Sequence, residues 1–177
     1  MFVKATDSNT RLALYRDVLV VYKKLIVSAF EQYGIVKDAV EVKNSVTKNI
    51  NRAPLIVIER GDYQYTPRSL MFGERLIDNA SAGELTSLTA HMLEYPIEFT
   101  CYGNSYLEAE KLGGLAMEAV LTTGLTIVKT MHPNIIGSEF VSWGKTDLVE
   151  GGDSSLVACK VLGKVFLKVD GIYTINN

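Results

Sequence analysis

Two histidines, His91 and His132, and two cysteines, Cys101 and Cys159, are the side chains of this 177-residue chain best suited to metal binding or acid–base work. Metal sites draw on clusters with fixed spacing, such as His-Glu-x-x-His or Cys-x-x-Cys, because several ligands must converge on one ion. Neither pattern occurs. His91 falls in a strand-like run and His132 precedes Pro133. Each reads as a hydrogen-bonded or exposed side chain. The cysteines lie in apolar, strand-like runs and read as small buried hydrophobes of a reducing compartment rather than as a disulfide or a nucleophile. Gly103-Asn104-Ser105 has the outline of a nucleophile elbow, but Gly-x-Ser-x-Gly requires a second glycine where this chain has Leu107. Ser105 with Glu108 fits a helix-capping box instead. An anion at that helix start would meet Glu108 and Glu110, which oppose it. Gly113-Gly114 lies inside a helix-like run and Gly151-Gly152 has no Lys-Ser or Lys-Thr after it, so no phosphate loop is present. The carboxylates are scattered, and no acid pair stands out. These residues predict no catalytic site, no metal and no cofactor.

The composition points the same way. Eighteen basic and 20 acidic residues leave a net charge of −2, and the basic ones are spread evenly, which argues against a nucleic-acid-binding face. An apolar fraction of 47% supports one folded domain spanning residues 1–177. The run 18–26 is interrupted by Tyr22, Lys23 and Lys24 and does not suit a membrane span. The opening MFVKATDSNTR lacks the apolar run of a signal peptide. A soluble, intracellular protein is the expectation, and the Asn79-Ala80-Ser81 sequon is then a chance match.

The elements that must position any site follow from periodicity. Leu12, Tyr15, Leu19, Tyr22, Ile26, Ala29, Phe30 and Tyr33 fall at steps of three and four and predict a helix over 8–33. Asp7, Ser8 or Asn9 caps it and Gly34 closes it. Its apolar stripe runs the whole length, so the helix is expected to lie across a sheet. Residues 35–53 read as a connecting loop with an irregular strand near 39–42. Leu55, Ile56, Val57 and Ile58 between Pro54 and Gly61 read as a central strand. Residues 70–72 read as a short strand or loop arm ending at Gly73, with a polar turn over 74–83. Residues 84–102 read as strand interrupted at Tyr95-Pro96. After the break Ile97, Phe99 and Cys101 face one way and Glu98, Thr100 and Tyr102 the other. A second helix runs from Ser105 to about 123, with Leu107, Leu112, Leu115, Ala116, Ala119, Val120 and Thr123 as its buried face and Gly124 closing it. Gly113 and Gly114 within it cost about 1 kcal/mol each relative to alanine and permit close approach of a sheet or a neighbouring subunit. Further on, 139–143 is strand-like, 156–169 is a long apolar stretch in which Gly163 suggests a bulge or bend, and Asp170-Gly171 signals a hairpin before 172–175. The order is helix, strand, hairpin, helix, hairpins. That is α+β rather than an alternating series with a parallel sheet. Residues 61–83 and 144–155 are left as candidate loops or arms.

The aromatic residues Tyr63, Tyr65 and Phe72, with Arg60, Arg68 and Arg75 flanking them, and Trp143 at the end of a strand are candidate interface residues. Tyr, Trp and Arg are the types enriched where proteins bind proteins. Covering the local core is the competing reading of the aromatics.

Taken together, the long first helix, Ala53-Pro-Leu-Ile-Val-Ile58, the unit Tyr95-Pro-Ile-Glu-Phe-Thr-Cys-Tyr-Gly103 and Ser105-Tyr-Leu-Glu-Ala-Glu-Lys-Leu112 resemble the tail-terminator proteins of long-tailed bacteriophages. The resemblance covers about residues 10–125, while 139–177 match nothing in it. It implies a mixed, mainly antiparallel sheet with two helices packed on it and hairpin arms. It further implies a homohexameric ring in the virion, assembled in the host cytoplasm. Such a ring ends the tail tube and meets the tail tube protein on one side and the head–tail connector on the other. DNA would at most pass through the lumen, and no membrane, catalytic residue or cofactor is implied. Another neck protein, or a cytosolic small-ligand-binding module, is the alternative.

Overall fold

The two longest apolar-rich segments of the second half of the chain, 84–103 and 157–176, each form one unbroken strand and pair with each other. The computed structural model describes residues 2–5, 8–32, 35, 41–44, 50, 53–61, 70–79, 84–121, 131–132, 134–149 and 156–176. In chain order the elements are β1 (Phe2–Ala5), α1 (Ser8–Gln32), β2 (Glu41–Lys43), β3 (Leu55–Arg60), β4 (Leu70–Asn79), β5 (Glu84–Gly103), α2 (Tyr106–Leu121), β6 (Ile135–Trp143), β7 (Asp147–Leu148) and β8 (Val157–Asn176). The described strands make one eight-stranded sheet. β5 and β8 run antiparallel from Glu84↔Asn176 to Gly103↔Val157 without a register shift. β4 and then β3 line the outer edge of β5, and β2 adds to β3 as a parallel strand. β1, β6 and β7 share the outer edge of β8. With α1 and α2, the described residues make an α+β fold on a mixed, mainly antiparallel sheet.

Both helices cover one face. Val18, Val21, Tyr22, Ile26 and Phe30 of α1 and Ala109, Leu112, Leu115, Ala116, Ala119 and Val120 of α2 join Ile56, Ile58, Ile97, Phe99, Cys101, Cys159, Val161 and Val165 in one buried cluster. Tyr22 meets Phe99 edge-on with ring centroids 5.9 Å apart. The helix stripe lies across the sheet as the periodicity predicts, with Val18 and Val21 fully inside and Leu19 only partly buried. On α2 the expectation for Leu107 is corrected: it is 63% exposed. It sits on the opposite side of the helix from the buried Leu112 and Ala116, away from the core.

Several other expectations change. Residues 74–79 are not a turn, because β4 continues through Gly73, where the register with β5 shifts between Met71 and Gly73. Pro96 does not interrupt β5. Its carbonyl accepts from Gly61 N at 3.1 Å, so its nitrogen also faces the β3 side, just past the last β3 pair Arg60↔Ile97. No bond to β8 is lost there. Asp170-Gly171 makes no hairpin: these residues pair with Ala90 and Thr89 inside the β5–β8 ladder. The bulge or bend expected at Gly163 is found as a bulge opposite it, the extra residue lying on β6 between Phe140, which pairs with Gly163, and Ser142. Of the candidate arm 144–155, residues 147–148 form β7, and 150–155 lie outside the described residues.

The described core reaches Tyr95 on β5 and Leu167 on β8. Beyond them the β5–β8 ribbon continues for about 30 Å at roughly 3.3 Å per residue. There it is flanked by β4 on one edge and β1 on the other, giving an arm in the order β4-β5-β8-β1. Only residues 6 and 7 separate β1 from α1, so α1 starts within about 11 Å of the arm's β1 edge and ends over the core.

Candidate protein interface

The candidate interface residues of the sequence divide into two groups. Arg60 ends β3 opposite Ile97 and is exposed. Phe72 falls at the register shift of β4, and Arg75 stands opposite Leu88. These three therefore follow one another along a single edge of β5. Tyr63, Tyr65 and Arg68 lie outside the described residues. Trp143 is not with them. It ends β6, on the far side of β8, three strand spacings or about 14 Å from β3.

Trp143 is placed by a bulge. Gly163 pairs with Phe140 and Leu162 with Ser142, so β6 carries one extra residue at Val141. Strict alternation would send residues 140 and 143 to opposite faces. The bulge sends both toward α2, Trp143 standing opposite the core residue Val161. There the indole lies against the glycine pair. A Cβ on Gly113 would come within 3.0 Å of the Trp143 ring and 2.8 Å of Cys159 Sγ, whereas one on Gly114 would meet the ring at an ordinary 3.7 Å. Trp143 Nε1 donates to Cys159 Sγ at 2.7 Å. The ring's one polar atom is satisfied inward, and Trp143 remains 39% exposed, so the ring surface it offers to solvent is carbon. Val141, Leu148, Tyr106 and Leu107 are the other large apolar residues exposed toward this end of the molecule. Exposed Glu110 lies one turn before the glycines, close enough that its charge acts on the Cys159 thiol.

The groups that raised the question of chemistry are accounted for structurally. Cys101 and Cys159 are directly opposite in the β5–β8 register, buried and free. Burial pushes both thiols up, furthest for Cys101, where Cys159 alongside adds to the effect. Neither supplies a thiolate at neutral pH. Ser105 is a helix cap: its Oγ accepts from Glu108 N at 3.2 Å. Glu108 reaches back one residue further than a capping box requires, its Oε2 accepting from Asn104 N at 2.6 Å and Asn104 Nδ2 at 3.0 Å. His132 is 7% exposed, and its Nδ1 has no hydrogen-bond partner among the described residues. His91 lies in β5 opposite Val169. No group of three or more His, Cys, Asp or Glu able to hold a metal ion occurs among the described residues.

On the sheet face away from the helices Leu55, Val57 and Thr100 are buried, and charged residues lie beside them. Glu59 and Glu98 stand directly opposite on β3 and β5, and Lys160 pairs with Glu98 at 2.6 Å. Burial first, then the Glu98 charge, holds the Glu59 carboxyl above its ordinary value, with Lys160 working against them. The hydrogen bond to Glu98 holds the Lys160 ammonium above its own. What the sequence did not reveal is Glu110 and the apolar residues around Trp143. Their proximity depends on the β6 bulge, which Gly163 signals only from the facing strand.

No protein-family model matches the chain, and no curated protein matches it. No helix of the described residues is long and apolar enough to cross a membrane.

Proposed function

We propose that the protein is a structural virion component that forms a ring at the head-proximal end of a phage tail tube, ends tube growth and joins the tail to the head connector. The observation that carries this reading is the four-stranded section β4-β5-β8-β1, in which β4 and β1 join the two edges of the long β5–β8 ribbon. Such a section gives a subunit a means to hold neighbours, and a ring needs two different contact surfaces on each copy. The apolar rim around Trp143 and the Arg60 edge, at opposite edges of the sheet, are suited to that role. The resemblance at residues 95–112 supports the same reading. Side-chain packing is favoured over strand addition, because both long outer strands, β4 and β6, carry bulges, which disturb an edge for pairing.

The test is imaging of the purified protein by electron microscopy, alone and mixed with tail tubes. Rings, and caps at one end of each tube, are expected. A protein that stays monomeric at high concentration and leaves tubes uncapped removes the proposal. A binding module that uses a pocket between helix and sheet would instead show a ligand-dependent rise in melting temperature.

A further inference from the structure

The exposed part of Trp143 has a definite chemistry. Its N–H is taken by Cys159, so a partner meets the π surface. An indole face attracts cations, arginine above all. Glu110 stands beside it, exposed and without an ion pair among the described residues. Carbon face plus carboxylate is a receptor for a guanidinium, which can stack on the ring and bond the acid at once.

The chain carries such a guanidinium at the opposite sheet edge. Arg60 is exposed and makes no ion pair among the described residues. It shares the helix-covered face with Trp143, since their partners Ile97 and Val161 are both core residues. The two also lie at nearly one height along the strands. Arg60 pairs with Ile97, which pairs with Gly163, while Trp143 pairs with Val161, two residues or about 7 Å further along β8. The two patches face different directions on one copy, as a head-to-tail contact requires, and such a contact makes a ring when its rotation closes.

We propose that Arg60 of one copy seats on Trp143 and Glu110 of the next, as the lateral contact of a closed ring. This rests on the ring reading and names the contacting surfaces.

Charge reversal tests it, with assembly state followed by sedimentation velocity over a range of concentrations. Arg60→Glu and Glu110→Arg each weaken self-association by about tenfold or more, since the ion pair is replaced by repulsion and the stacking cation is lost or displaced. The double variant R60E/E110R recovers most of the loss, because the reversed pair is complementary again. The emission of Trp143, the single tryptophan, shifts on assembly of the native protein and stays at its monomer position in R60E. Both residues are exposed, so unchanged thermal unfolding of the monomers shows that folding is not the cause. If the single variants assemble like the native protein, the contact is wrong and the ring reading stands. If the native protein is monomeric at every concentration, both fall.

Discussion

Gly113 and Gly114 are neighbours in one helix and do different work. A methyl on Gly113 would strike Cys159 Sγ and the Trp143 ring at 2.8 and 3.0 Å. Gly113→Ala is therefore expected to cost roughly 1–3 kcal/mol by overpacking, against a helix-propensity gain of about 1 kcal/mol. Gly114→Ala meets only an ordinary contact and keeps that gain. Chemical denaturation of the two variants should move in opposite directions, and destabilisation by both would mean that the indole does not lie where described. Local chemistry of this kind was partly legible beforehand. Ser105 and Glu108 announce a helix start because a cap is made by residues three apart, with no help from the rest of the fold. Leu107 was misread because helical spacing alone does not say how wide the buried stripe is. Trp143 was seen as an interface residue, but its inward N–H bond needs Cys159, sixteen residues away in sequence.

At the scale of elements, pairing overrode local signals. Asp170-Gly171 is a strong turn signal, yet β8 passes through it because its partners on β5 continue on the other side of the ladder. β1 was not foreseen: four residues give too little alternation, and its partners lie at 173–176. The strands 55–60 and 97–103 were legible, being apolar and β-branched or cleanly alternating. Where they pair, Glu59 faces Glu98, and the raised Glu59 pKa has a consequence. A carboxyl raised on folding contributes stability that is present below its ordinary value of 4.5 and is lost as pH rises through the folded value. Glu59→Gln should thus stabilise the protein at pH 7 by a few tenths of a kcal/mol, a small effect because the group is partly solvated. The advantage should vanish below about pH 4.5 in urea titrations across pH. An advantage that persists in acid would assign it to packing instead of charge.

For the molecule as a whole, the β5–β8 ribbon sets the terms. It runs twenty residues on each strand from arm to core without a bulge. Side chains alternate faces along it, so its parity is one continuous count from Glu84 to Gly103. An extra residue in β5 between the arm and Tyr95 has no bulge nearby on either strand to absorb it. One inserted residue should abolish cooperative thermal unfolding, and a matching one in β8 should mend the pairing while turning the arm upside down relative to the helices. Two inserted in both strands should restore the fold with the arm about 7 Å longer. The reach of this arm is therefore quantised: across relatives that share the ribbon, its length is free to vary only in paired steps of two, written at two distant places in the gene at once.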